Sequence, residues 1–215
     1  MHKYDVISIV GIPRSGTTFL WQILKTVYSQ GLADLEIKQQ HALSTGENPV
    51  VGTLMRYGGD PWSYVRELRG MWLKLLGDDR RTFVFKQPQL VFFPPPEDLN
   101  VFTICCDRLN FEHWKQSWLE HGGHGQIDAF QRPADYLKEA WCLPWGEPED
   151  VDKRIRVYYD RYREAGHLEL VSGRDNCLWE FENPDAGLER IWNCLELDRG
   201  HLANVRPLFK PRRRN

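Results

Sequence analysis

The feature that most constrains this chain is one stretch, Val6-Ile7-Ser8-Ile9-Val10 running into Gly11-Ile12-Pro13-Arg14-Ser15-Gly16-Thr17-Thr18-Phe19. The first five residues, mostly apolar and β-branched, predict a buried strand. The Gly/Pro turn breaks it, and Leu20, Ile23, Leu24 and Val27 then recur at helical spacing. A helix entered directly from a strand presents its unsatisfied first-turn N–H groups, and the positive end of its dipole, beside the strand's carboxyl end. Two glycines let the backbone curl closely around an oxyanion, so the stretch predicts a cradle for phosphate or sulfate.

The rest of the chain repeats the alternation. A short strand is expected within 31–40, followed by a loop at Gly46-Glu47-Asn48-Pro49. Asp60-Pro61 opens a helix in which Trp62, Val65, Leu68, Trp72, Leu75 and Leu76 share a face, and Gly77 stops it. Thr82-Phe83-Val84-Phe85-Lys86 reads as a strand ended by Gln87-Pro88, and Asn100 to Cys106 as a strand buried on both faces. Phe111, Trp114 and Trp118 continue at helical spacing. A helix opening at Pro133 and a charged one ending before Gly166 are expected to form an insertion or cap around 133–165. Cys177 to Phe181 gives a last strand, and Asn183-Pro184-Asp185 the cap, first position and acidic first turn of a last helix. Strands alternating with helices predict a single α/β domain over 1–215, three-layered, with a mostly parallel sheet flanked by helices. Such sheets bind ligands beyond the carboxyl ends of their strands, which is where Gly11–Thr18, Lys86–Gln89 and Asp107–Ser117 should meet.

Composition narrows the class of protein. A formal charge of −2 argues against bulk nucleic-acid binding, despite the Lys210-Pro211-Arg212-Arg213-Arg214 cluster, which reads as a solvated tail or, alternatively, as a segment that folds over an anionic ligand. No early segment has the build of a signal peptide or a membrane span, so no membrane association and a cytoplasmic location are expected. Five cysteines, two of them adjacent in an apolar run, suit buried reduced thiols better than a disulfide framework. His113, His121 and His124 lack the spacing and companions of a metal site, and none is expected. The helical tryptophans read as core.

Gly11-x4-Gly16-Thr17-Thr18 has the spacing of a Walker A loop, yet Thr17 stands where lysine belongs, which disfavours an ordinary nucleotide triphosphatase. Instead Arg14 sits within the loop, where a guanidinium can clamp an oxyanion while Ser15, Thr17 and Thr18 donate hydroxyl hydrogen bonds. Here the sequence resembles the sulfotransferases that use 3′-phosphoadenosine 5′-phosphosulfate (PAPS). GIPRSGTTFL is similar to their P-loop-like 5′-phosphosulfate loop. Pro13, Arg14, Ser15, Gly16, Thr17 and Thr18 fall on the motif, and Phe19 on a position that is often aromatic near the adenine ring. Arg108 and Ser117 resemble the family's arginine-serine pair for the 3′-phosphate, with a separation one residue longer than usual. Either a one-residue insertion lies between them or Ser117 is not the partner. Phe85-Lys86-Gln87-Pro88 resembles the Lys-x-Pro of carbohydrate and bacterial members, and WEFENPDAGLERIWNCLEL their late strand-turn-helix.

The resemblance implies transfer of a sulfuryl group from PAPS to a hydroxyl or amine, leaving adenosine 3′,5′-bisphosphate, with no metal required. Arg14 would hold the phosphosulfate and Lys86 would neutralise the charge developing on the leaving phosphate. Best-known members use histidine two positions after that lysine as general base; here Pro88 occupies it. Glutamate bases in other members point to Glu36, with His41 and Glu47 nearby. The acceptor, whether small molecule, saccharide or peptide tyrosine, is left open. So are two other functions: a P-loop kinase or nucleotidase with a displaced lysine, and a non-catalytic nucleotide-binding module.

Overall fold

The structure is a computed structural model that describes residues 3–28, 60–77, 81–120 and 151–205. In chain order its elements are β1 (Val6–Gly11), α1 (Thr17–Val27), α2 (Pro61–Leu76), β2 (Phe83–Lys86), a 3₁₀ turn (Pro88–Phe92), β3 (Val101–Asp107), α3 (Phe111–Leu119), α4 (Val151–Leu170), β4 (Asn176–Glu180), α5 (Pro184–Cys194) and α6 (Arg199–Val205). The strand expected within 31–40, the loop after Gly46 and the helix expected at Pro133 lie outside the described residues.

Among the described residues four strands form one all-parallel sheet in the order β2-β1-β3-β4. β1 lies centrally, with Val6 opposite Phe83 on one side and Val101 on the other. Alternation along the strands divides the core in two. Ile7, Ile9, Val84, Phe102, Ile104, Cys106, Cys177 and Trp179 pack with α1, α5 and α6 on one face. Val6, Val10, Phe83, Val101 and Cys105 pack with α2 on the other. Burial on both faces explains why β1 and β3 read as continuous apolar runs and not as alternating patterns. The described cysteines are free thiols; burial pushes Cys105 up to about 12 and raises Cys106 and Cys177 as well.

Local signals set the helix ends. Asp60 accepts from the Trp62 N–H at 2.9 Å, Pro61 takes the first helical position, and Gly77 closes α2 at φ 63°. Asn110 caps α3 through the His113 N–H at 3.0 Å. Asn183 occupies the cap position of α5 as expected, but its side chain makes no capping bond.

One expectation changes. The charged helix does not stop before Gly166 but continues to Leu170. A mid-helix glycine costs about 1 kcal/mol, which the packing beyond it offsets: Leu170 joins the α2-side core, and buried Glu169 pairs with Arg174. Along this helix Ile155, Tyr158, Tyr159 and Tyr162 form a third core cluster with Ile12, Trp114 and Trp118. The part of the expected cap at 133–150 lies outside the described residues. Among the described residues no helix is long and apolar enough to cross a membrane.

Candidate functional site

Because all four strands are parallel, their carboxyl ends lie along one edge. The loops after β1, β2 and β3 meet there, bringing Arg14, Lys86 and Arg108 together from three separated segments. The loop after β1 leaves the sheet at Gly11, whose φ is 108° and where a Cβ would stand 2.2 Å from the Cys106 carbonyl oxygen. No side chain fits that approach, so glycine is required. The Ile12 N–H donates to the same carbonyl at 3.1 Å and extends the pairing of β1 with β3 by one residue. Arg14 takes the left-handed conformation at φ 67°, and Gly16, the N-cap of α1, does so at φ 88°. Gly16 has no side chain to cap the helix. The first-turn N–H groups of Thr17 and Thr18 therefore lack both an intrahelical and a capping side-chain acceptor, the condition under which a helix end receives an anion.

Lys86 ends β2, and its Nζ donates to Thr18 Oγ1 at 3.0 Å, which puts the ammonium at the start of α1. Arg108 follows β3; its Nη1 donates to the Arg14 carbonyl at 3.2 Å and its guanidinium lies 4.4 Å from the centre of the Phe181 ring. Arg14 is exposed. Partial desolvation lowers its pKa, with no effect on its charge near neutrality. The neighbouring carboxylates are engaged. Asp107 receives Arg163 Nε at 3.0 Å and the Arg108 N–H at 2.7 Å, while Glu182 accepts the N–H groups of Leu109 and Asn110 at 3.1 and 3.2 Å. Tyr159 Oη contacts the Arg108 and Leu109 carbonyls. The Arg108 turn is thus braced from β3, α4 and the turn after β4.

The expected residues fare differently. Thr18 is exposed beside Lys86. Ser15 departs from expectation: its side chain is fully buried and its hydroxyl donates to the Ile12 carbonyl at 2.5 Å, turned inward to tighten the loop. Thr17 is buried as well. Phe19 is half-buried, its ring 6.4 Å from that of Trp179. Ser117 is half-buried on α3, one helical turn beyond Trp114. Glu36, His41 and Glu47 lie outside the described residues, as do His121 and His124. Among the described residues no cluster of histidine, cysteine and carboxylate could hold a metal ion.

Two residues at the loop were not singled out by sequence. Trp114 Nε1 donates to the Pro13 carbonyl at 2.7 Å and Trp179 Nε1 to the Ser15 carbonyl at 2.9 Å. Both are completely buried and read from sequence only as core. Searches of protein-family models, curated proteins and solved structures returned no match to this chain.

Proposed function

We propose that this protein is a sulfotransferase that takes its sulfuryl group from PAPS and passes it to a hydroxyl or amine of an acceptor. The observation that carries the reading is the Lys86 ammonium 3.0 Å from Thr18 at the start of α1, on the edge where Arg14 and Arg108 also stand. A Walker-spaced loop without its own lysine here has cations supplied by the neighbouring strands. The similarity of GIPRSGTTFL to the 5′-phosphosulfate loop supports the same conclusion.

The residues present fit the group. Arg14 and the first-turn amides of α1 would hold the 5′-phosphosulfate, and Arg108, with Ser117 as its candidate companion, the 3′-phosphate. Bound there, PAPS supplies an activated sulfuryl group. As the bond from sulfur to the acceptor's oxygen or nitrogen forms and the S–O bond to the phosphate breaks, Lys86 would neutralise the charge left on the departing phosphate oxygen. Positioning and electrostatics carry this class of transfer, much as in phosphoryl transfer. The acceptor's proton goes to a base, for which Glu36 and His41 are the candidates. The reading requires no metal.

The kinase reading needs a carboxylate free to hold magnesium after β3. Asp107, the residue in that place, is paired with Arg163. Calorimetry with adenosine 3′,5′-bisphosphate, followed by radiolabelled PAPS and an acceptor panel, tests the proposal. Absence of bisphosphate binding sinks it, magnesium-dependent ATP binding favours a kinase, and tight binding without transfer favours a non-catalytic module.

A further inference from the structure

The peptide planes of the loop are fixed from outside it. Three consecutive carbonyls each accept from a different element: Pro13 from Trp114 Nε1 on α3 at 2.7 Å, Arg14 from Arg108 Nη1 after β3 at 3.2 Å, and Ser15 from Trp179 Nε1 on β4 at 2.9 Å. In a trans peptide the carbonyl of one residue and the N–H of the next point in opposite directions, and no cis bond occurs among the described residues. Fixing these carbonyls toward their donors therefore turns the N–H groups of Arg14, Ser15 and Gly16 away from them. The left-handed conformations of Arg14 and Gly16 are of the kind that gather successive amides into an anion-binding concavity. The fourth bond, from Ser15 Oγ to the Ile12 carbonyl, acts on the peptide unit of Pro13, which has no N–H, so it tightens the loop without aiming a donor.

We propose that Trp114 and Trp179 are positioning residues for anion binding, their indole N–H groups holding the Arg14, Ser15 and Gly16 amides toward the bound phosphosulfate. The proposal deepens the reading of this loop as a nucleotide site and rests on it. Both indoles are well seated for the task. Trp114 stacks 5.3 Å from Trp118 and packs against Tyr158 and Tyr159. Trp179 is packed so closely that a Cβ on Gly187 would stand 2.7 Å from its ring. Neither ring can turn without disturbing the core, so the donors are preorganised before any ligand arrives.

Trp114→Phe and Trp179→Phe keep an aromatic ring and remove the donor. Trp192→Phe is the control, because its indole donates at 3.2 Å to the Asp198 carbonyl and not to the loop. Two readouts are taken on the full chain: adenosine 3′,5′-bisphosphate affinity by calorimetry, and amide hydrogen exchange of the 12–20 segment without ligand. Each loop variant is expected to bind about fivefold more weakly, the effect of losing one typical hydrogen bond, and to exchange faster at Arg14, Ser15 and Gly16. The control should match wild type in both. Unchanged affinity in the loop variants, or an equal loss in Trp192→Phe, overturns the proposal. If wild type binds no bisphosphate, the sulfotransferase reading fails. Exchange then decides the present one, unchanged rates refuting the pinning and faster rates upholding it. If Trp179→Phe does not fold, Trp114→Phe carries the test.

Discussion

Replacing Gly11 by alanine adds one methyl group where the structure leaves no room. Its carbon would lie 2.2 Å from the Cys106 oxygen, 2.8 Å from the Cys106 nitrogen and 3.0 Å from its carbonyl carbon, all backbone atoms of β3. Ordinary contact begins at 3.4 Å, so the ends of β1 and β3 must part by about 1.2 Å. That separation breaks the Ile12 N–H bond to Cys106, 3.1 Å long in the native loop. Overpacking costs about 1–3 kcal/mol, the lost hydrogen bond about 1 kcal/mol, and the positive φ of 108° about 1–2 kcal/mol. The total is about 3 kcal/mol or more, which at an m-value of about 2 kcal/mol/M lowers the urea midpoint by roughly 1.5 M. Gly70→Ala makes the same chemical change in the middle of α2, where nothing lies within 4 Å of the added carbon. It should raise stability by about 0.5 kcal/mol, since alanine favours helix over glycine. Urea unfolding of both variants, followed by tryptophan fluorescence, measures the contrast. A Gly11→Ala midpoint within 0.3 M of wild type, taking about 0.3 M as the resolution of the method, would refute the close approach of β1 to β3.

The site itself yields further predictions. Lys86→Met should leave the melting temperature nearly unchanged and lower kcat by about 100-fold or more, because the ammonium acts on charge that develops in the transition state; an unaltered kcat removes lysine from the mechanism. Arg108→Ala should weaken adenosine 3′,5′-bisphosphate by about 10-fold or more beyond its effect on adenosine 5′-phosphate, since both ligands lose the bond that fixes the Arg14 carbonyl but only the bisphosphate loses a charge-assisted bond to its 3′-phosphate; equal losses place Arg108 elsewhere. Asp60→Ala should cost about 1 kcal/mol by removing the cap of α2, readable as a lower melting temperature. Burial raises Cys105 from an ordinary thiol value to about 12, so the folded state binds more protons than the unfolded one between those values. The sign follows: its contribution to stability is complete below about pH 8.5 and is lost as pH rises toward the folded value. Native protein at pH 8 should resist a thiol reagent at Cys105 and react once unfolded in urea; rapid native labelling would contradict its burial.

How much was legible in the sequence depended on distance along the chain. Elements came out where their causes are local: the apolar runs of β1 and β3, the helical spacing of Trp62, Val65, Leu68 and Trp72, and the Asp60-Pro61 start with its Gly77 stop each act within a few residues. Gly166 misled for the complementary reason. It is a local stop signal overridden by contacts that Glu169 and Leu170 make only in the folded state. The seven residues of α6, about two turns, carry too weak a pattern to announce themselves as a helix.

The same division runs through the site. The sequence alone determined a strand-loop-helix with two glycines and Arg14, and it placed Lys86 and Arg108 at strand ends, because strand, turn and cap preferences belong to neighbouring residues. Only the tertiary structure decided the strand order, which sets Lys86 and Arg108 on opposite sides of β1. It also turned the Ser15 hydroxyl inward, and it brought Trp114 and Trp179, 101 and 164 residues from the carbonyls they hold, against the loop. A hydrogen bond across such a separation leaves no periodicity or spacing in the chain; it exists once the parallel sheet has brought the ends of β1, β3 and β4 side by side.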